Sequence, residues 1–381
     1  MEKIKVFLRL GKRPHPGYYV LIDSPPENVD YKYDKILRSS REKAGFLHWI
    51  KVKLWLFSLK SRPPIIKINP RDCDVIHSTN NIMNSGKTPW VMDVEHLIGL
   101  FSFNPSNLKK KKYFSKVKKT LSLKYCKKLM PYTLASKLSM VYGGLGELES
   151  KMEVIYPAKE SIPNFKKTYN KIPKILWIGR RFWEKGGNVV LQVFNEIDKK
   201  VNFNLIMKGP VPEEIKKKYK GKENIKFLGE RHYSNSAWKK LFKEADILLY
   251  PTNLDSLGNA FFDAMNYKVP VVTGDVFSTS EIIENGKNGF VVNHPMKWHN
   301  EKFQSIEKFQ GEYLGKIKKF HDKTYIRKLA EKVMILIKNP SLREKMGKAG
   351  YQEISKGKFS IKRKNEKLEK IYKAAGKVNE K

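Results

Sequence analysis

Cysteine is nearly absent. Cys73 and Cys126 are the only two in 381 residues, and neither stands in a CxxC or Cys/His ligand spacing. A disulfide framework and a structural metal are therefore not expected, and a reducing compartment is. Long hydrophobic runs are missing as well: no window supplies the roughly 18 apolar residues of a spanning helix. The opening "MEKIKVFLRLGKRPHPGYYV" carries an apolar run too short and too charged for a secretory signal. The expectation is a cytoplasmic chain, soluble or peripheral on the inner face of the cell membrane. Acidic residues are scarce too. There are 38 Asp plus Glu against 76 Lys plus Arg, a formal charge of +38, with none between Glu95 and Glu147. That field draws polyanions (nucleic acid, anionic lipid or phosphorylated small molecules) without choosing among them.

What is present can build cores. The chain is 40% hydrophobic and 12% aromatic, and its length suggests two domains. The second half alternates strand and helix: "KILWIG", "GNVVLQVFNEIDKK", "FNLIMKGP", "EEIKKKYK", "IKFLGE", "SAWKKLFKEA", "DILLYPT", "NAFFDAMNY" and "VPVVTG". Near-continuous apolar strands between helix-length segments predict a parallel sheet covered on both faces. In the first half "IKVFLRL", "DVIHS", "PWVMDV" and "MEVIYP" predict a second doubly wound domain. The segment "PAKESIPNFKKTYNKIP" (157–173), with three prolines and no apolar period, reads as a linker, and the tail as two helices.

Two carboxylates stand eight positions apart in "DSLGNAFFDAMNYKVPVV". Asp255 falls in the loop after a strand and Asp263 about one turn into the next helix. Helical side chains lean toward the N-terminus, so both can address the space above the strand's C-terminal edge, where open α/β sheets bind ligands. The helix start offers backbone N–H groups suited to phosphate, Gly258 allows close approach, and Asn259 is a candidate cap. Asp255 merely capping the helix, with Asp263 facing water, fits the pair alone equally well. A second loop weighs against coincidence: "GRRFWEKGG" places Arg180 and Lys185 after another parallel strand, where two cations can pair with a diphosphate.

Together these residues resemble family-4 retaining glycosyltransferases of the GT-B fold. Gly179, Arg180, Lys185 and Gly186 match the family's G-R-x4-K-G phosphate loop. Asp255 and Asp263 match its E-x7-E pattern, and "AMNYKVPVVTG...SEIIENGKNGFVV" the segment after it. The resemblance spans about residues 150 to 300 and continues more weakly through the closing helices.

It implies an α/β chain of two Rossmann-like doubly wound domains facing a central cleft. The domains would be an acceptor-side domain at 1–157, a nucleotide-sugar domain at 158–335, and C-terminal helices at 336–381 whose last packs back on the first domain. It implies transfer of a sugar from a nucleoside-diphosphate sugar to a hydroxyl acceptor, with retention and no cofactor or metal required. By the same resemblance Arg180 and Lys185 neutralise the leaving diphosphate with amides around Gly258 and Asn259. Asp255 binds donor-sugar hydroxyls, Asp263 the ribose hydroxyls, and Arg231 in "GERHYSN" falls near the base.

This chain also departs from the family. Both acids are Asp where Glu is usual, shortening each reach by about 1.5 Å at most. The glycine-rich loop after the first strand is not recognisable, Gly11 and Gly17 standing apart. Glu95, with His96 beside it, takes a position where many relatives have histidine, so the two are candidates for the cleft or for a structural pair.

Three other signals are set aside. "SGKT" (85–88) lacks the first phosphate-loop glycine, having Asn81 in its place. "DCD" (72–74) precedes an apolar strand and reads as a turn. His77 ends its strand as a satisfied core-edge histidine.

The run 109–128 holds ten lysines, among them Lys109, Lys110, Lys111, Lys112 and Lys116, interleaved with Tyr113, Phe114, Leu121, Leu123 and Tyr125. A helix with an apolar face and a lysine face would lie on an anionic membrane; a solvated helix fits as well. "FLHWIKVKLWLFSLK" (46–60) reads as a core element with a basic fringe. In GT-B relatives the first domain receives the acceptor, so a basic one suggests a glycan or lipid-linked, anionic acceptor. The alternatives are a basic nucleic-acid-binding protein and a donor-binding protein without turnover. No recognised nucleic-acid module supports the first, so no specific nucleic-acid partner is expected. The two Asp replacements keep the second open.

Overall fold

A computed structural model of the chain describes residues 2–10, 15–33, 62–229, 235–305 and 311–376. The 46–60 stretch and Arg231 lie outside them. The chain forms two compact units: residues 1–159 with 302–304 and 358–381, and residues 160–301 with 305–357. No helix among the described residues is long and apolar enough to cross a membrane.

The first unit is built on a five-stranded parallel sheet of β1 (Ile4–Arg9), β2 (Val29–Tyr33), β3 (Val75–Ser78), β4 (Trp90–Val94) and β5 (Cys126–Pro131), in the order β2-β1-β3-β4-β5. Strand β4 is buried on both faces. Trp90, Met92 and Val94 join Val117 and Leu121 of helix α1 (Lys111–Ser122) on one side. On the other, Val91 joins Leu368, Ile371 and Tyr372 of the C-terminal helix Ile361–Gly376. Asp93 shares that second face by strand alternation. His77 Nε2 lies 3.2 Å from the Asp93 carboxylate, and its Nδ1 is 2.6 Å from the Tyr372 hydroxyl. His77 is thus a buried residue that ties the last helix to the sheet through Nδ1, but it is not fully satisfied as expected, since Nε2 makes no hydrogen bond among the described residues. Helix α2 (Leu134–Met140) follows β5, capped by the Thr133 hydroxyl accepting from Ser136 N–H.

"MEVIYP" does not form the expected strand. It meets β5 only at the Leu129–Met152 bridge and through backbone N–H donation from Glu153 and Ile155, and Pro157 then removes a donor. The lysine-rich run is helical only to Ser122, because Cys126 onward belongs to β5. Its apolar side is spent inside the unit: Val117 and Leu121 are buried and Phe114 stacks on Phe101 at 6.0 Å. The apolar face imagined for a membrane is therefore taken. What remains outward are lysines, with Lys109, Lys110, Lys111, Lys112 and Lys116 all exposed.

The second unit has six parallel strands: β6 (Lys174–Ile178), β7 (Asn204–Lys208), β8 (Ile225–Leu228), β9 (Ile247–Tyr250), β10 (Val271–Asp275) and β11 (Gly289–Asn293). Their order is β8-β7-β6-β9-β10-β11. Helices α3 (Gly187–Ile197), α4 (Asn235–Glu244), α5 (Asn259–Asn266), α6 (Lys323–Lys338) and α7 (Pro340–Ser355) flank it. The chain runs outward from β6 to β8, then returns to lay β9 beside β6. The switch point lies between β6 and β9, where such sheets place their ligands.

Residues 157–173 form no helix or strand, yet 160 onward is stitched to this unit. The buried Asp246 carboxylate accepts from Asn170 N–H at 3.1 Å, Asn170 Nδ2 at 2.7 Å and Lys174 N–H at 2.7 Å.

Candidate functional site

Both loops singled out in the sequence leave the strands flanking the switch point. After β6, Gly179 N–H donates to the Lys208 carbonyl at 3.0 Å, and the chain turns through Arg180–Gly186 into α3. Gly186 has φ +68, and a Cβ there would lie 1.9 Å from the Pro251 carbonyl oxygen, so only glycine lets the turn approach the end of β9. The Glu184 carbonyl accepts from Asn253 N–H at 2.9 Å, Leu254 N–H at 3.0 Å and the Thr252 hydroxyl at 3.0 Å. The two loops are one fastened structure.

Lys185 and Asp255 are its polar centre. The ammonium donates to Asp255 Oδ2 at 2.6 Å and to the Leu254 carbonyl at 3.0 Å, with the side chains 16% and 12% exposed. The Tyr250 hydroxyl donates to the same carboxylate oxygen at 3.1 Å, and Gly258 N–H donates to Oδ1 at 3.0 Å. Burial raises the Asp255 carboxyl, but the Lys185 charge and the Gly258 and Leu257 amides outweigh it. Its pKa lies below the ordinary carboxylate value. Asp255 therefore does cap its loop, while also holding the lysine at the sheet edge.

The remaining candidates are placed differently. Asn259 is not the cap: Gly258, at φ +70, occupies that position and exposed Asn259 begins α5. Asp263, buried in α5, accepts from the Trp238 indole N–H of α4 at 3.4 Å. Arg180 shares the Lys185 turn but is exposed and has no ion pair among the described residues. In the first unit, Glu95 N–H donates to Asn81 Oδ1 at 2.9 Å. His96 is buried, edge-on to Phe103 at 5.6 Å, and burial lowers its pKa despite the nearby Glu95.

Several supports went unread because they carry no spacing signature. The Asn253 amide Nδ2 donates to the Trp183 carbonyl at 2.7 Å, and its Oδ1 is 2.9 Å from His294 Nε2. Met296 N–H donates to His294 Nδ1 at 3.1 Å, so Nε2 carries the proton. Burial, with Lys297 nearby, lowers His294 to about 4. His299 accepts Phe277 N–H at 2.7 Å, and the next residue, Ser278, donates to the Ser256 carbonyl at 2.6 Å. Two neutral histidines thus brace the two site loops. Lys208, buried at the end of β7, adds a cation on this edge and donates to the Gly229 carbonyl.

Residues 158–318 match the family model described as glycosyl transferases group 1. An uncharacterized 41.2 kDa protein in the cps region of Klebsiella pneumoniae is 30% identical over 188 residues, covering 43% of this chain and 51% of its own length. The chain spans about half the length of the curated relatives it matches. Among solved structures, a glycosyltransferase from Rickettsia africae ESF-5 superposes with a TM-score of 0.62 at 15% identity, over 100% of both chains. Anabaena Alr3699/HepE, in complex with UDP, gives 0.61 at 13% identity over 97% of this chain and 100% of its own. Residues 158–318 thus resemble the group 1 glycosyl transferases, in a chain with the GT-B type of fold.

Proposed function

We propose that this chain transfers a glycosyl group from a nucleoside-diphosphate sugar to a hydroxyl acceptor with retention of anomeric configuration. The Lys185–Asp255 pair at the switch point carries the reading. In the reaction the bond from the anomeric carbon to the diphosphate oxygen breaks and its electron pair leaves with the diphosphate. The acceptor oxygen bonds to the same carbon from the same face, and the hydroxyl proton is released. Negative charge grows on the diphosphate as the sugar becomes cation-like, so a preorganised ammonium lowers the barrier directly. Lys185 supplies that charge, Arg180 from the same turn adds a second, and the N–H groups at the start of α5 add their dipoles. Asp255 orients the lysine and donor-sugar hydroxyls, Asp263 meets the ribose, and no metal is required. That HepE is found in complex with UDP supports a nucleotide-linked donor. The outward lysines of α1 favour a glycan or lipid-linked acceptor bearing negative charge, at an anionic surface.

A thermal-shift screen against UDP-, GDP- and ADP-sugars, followed by measurement of diphosphate release, tests this. One base series should stabilise the protein and turn over, unchanged by EDTA, and Lys185→Ala should abolish release. Release indifferent to that change sinks the assignment.

A further inference from the structure

Asn253 lies between the end of β9 and Asp255, and it has no exposed surface. It is closed to a ligand, yet its hydrogen bonds reach well beyond its own loop. Its backbone N–H donates to the Glu184 carbonyl at 2.9 Å and its amide Nδ2 to the Trp183 carbonyl at 2.7 Å. Its Oδ1 stands 2.9 Å from Nε2 of His294, the residue after β11. Its own carbonyl accepts from the Tyr313 hydroxyl of the helix Glu312–Lys318 at 2.7 Å.

The Trp183 carbonyl decides what these bonds do. It also accepts from Gly186 N–H at 3.2 Å, closing a turn whose two middle residues are Glu184 and Lys185. The Lys185 carbonyl is fixed in turn by the Trp177 indole N–H at 2.8 Å. Across the contact, the acceptors of the Lys185 ammonium are the Leu254 carbonyl and Asp255, the two residues that follow Asn253. One buried residue therefore holds both the turn that carries the ammonium and the segment that receives it.

The contact needs an amide. Met296 N–H occupies His294 Nδ1, so Nε2 is the donor and the Asn253 atom facing it is the oxygen. That turns the amide NH2 toward the Trp183 carbonyl. An Asp of the same shape would set a second oxygen against that carbonyl, and a Leu would offer neither donor nor acceptor.

We propose that Asn253 is a positioning residue: its amide, oriented by His294, holds the Trp183–Gly186 turn so that the Lys185 ammonium stands against Asp255 and Leu254, set for the leaving diphosphate. That the lysine meets a diphosphate rests on the transferase reading; that Asn253 places the lysine does not.

The measurement is acylation of Lys185 by acetic anhydride, read by peptide mass spectrometry well below the Tm of each variant. Lys167 is the internal reference, a half-buried lysine of the same unit that donates to the Lys243 carbonyl at 2.7 Å. In the wild type the paired and largely buried Lys185 should react slowly. Asn253→Asp should raise its rate about tenfold, as the local opening cost falls by the worth of a buried hydrogen bond, with Lys167 unchanged. His294→Leu reaches the same amide from its other side, and it decides the matter if Asn253→Asp does not fold. It should raise the Lys185 rate about threefold, and His294→Gln, which keeps an N–H for the amide oxygen, should restore it. Inorganic pyrophosphate should protect Lys185 in the wild type and protect it less in Asn253→Asp. Absence of protection in the wild type would count against the donor reading alone, since the rates without pyrophosphate still decide the role of Asn253. An unchanged Lys185 rate in whichever of Asn253→Asp and His294→Leu folds overturns the proposal. So does a parallel rise at Lys167, which would mean general loosening, or a Lys185 rate in His294→Gln no lower than in His294→Leu.

Discussion

Lys185 and Asp255 lie 70 positions apart in the chain and meet at 2.6 Å, with the ammonium held a second time by the Leu254 carbonyl. This single contact joins the loop after β6 to the loop after β9. Removing one partner of such a largely buried pair strands the other charge, a loss of about 3 kcal/mol. Lys185→Ala should therefore lower stability as well as abolish turnover. Lys185→Arg separates the two effects: it keeps the charge near Asp255 and should recover most of the stability. Turnover should recover only partly, since a planar fork does not place its charge as a point ammonium does. Urea unfolding read beside diphosphate release checks this, and equal recovery of both would assign Lys185 a structural role only.

Gly186 and Gly258 each turn a site loop into a helix with positive φ. An alanine Cβ would fall 1.9 Å from the Pro251 oxygen at the first and 2.4 Å from the Phe261 ring at the second. Backbone cannot yield as a ring can. Gly186→Ala should cost more than Gly258→Ala, each at least about 2 kcal/mol from strain and displacement. Differential scanning calorimetry should show the larger drop in Tm for Gly186→Ala, and the reverse order would contradict the loop geometry.

His294 links pH to the same loops. Its folded pKa is about 4, below an unfolded value of about 6.5. The native state holds it neutral, so its contribution is fully present above about pH 6.5 and is lost as pH falls toward 4. The loss is on the order of 3 kcal/mol. His299, also lowered by burial, adds in the same direction. Urea midpoints measured between pH 7 and 4.5 should fall for the wild type. They should fall less steeply for His294→Gln, which removes the titrating group while leaving an amide N–H for Asn253. Parallel slopes would remove His294 as the cause.

These residues also show what the sequence could reveal. The six-stranded sheet was legible because "KILWIG", "DILLYPT" and "VPVVTG" are short apolar runs buried on both faces, and burial of that kind shows in composition alone. Lys185 and Asp255 were legible because loop, strand and spacing coincide. His294, His299 and Asn253 were not, since each acts through one hydrogen bond to a backbone or amide brought near only by folding. "MEVIYP" misled for the opposite reason: an apolar pattern suited to a strand lies at a sheet edge where pairing is not continued. Asp255 caps its loop with one oxygen and holds Lys185 with the other, a contact that neither reading of the sequence named.

Helix α1 permits a last prediction, about how the basic face would act. Its Val117 and Leu121 are buried and its Phe114 is packed against Phe101, so no apolar side is left to enter a bilayer. Lys109, Lys110, Lys111, Lys112 and Lys116 remain exposed. Adhesion through them is electrostatic, worth about 1 kcal/mol per lysine near an anionic leaflet and screened over about 10 Å at 0.1 M salt. Sedimentation with phosphatidylglycerol vesicles should be strong at low salt, lost by 0.5 M NaCl, and absent with phosphatidylcholine alone. Lys111→Glu with Lys112→Glu and Lys116→Glu should abolish it at any salt without lowering Tm, because none of the three side chains is buried. Phe114→Ala should do the reverse, lowering Tm through loss of its packing while leaving vesicle binding intact. Binding that survives high salt, or that depends on Phe114 at temperatures where the variant is folded, would mean insertion and refute the electrostatic reading.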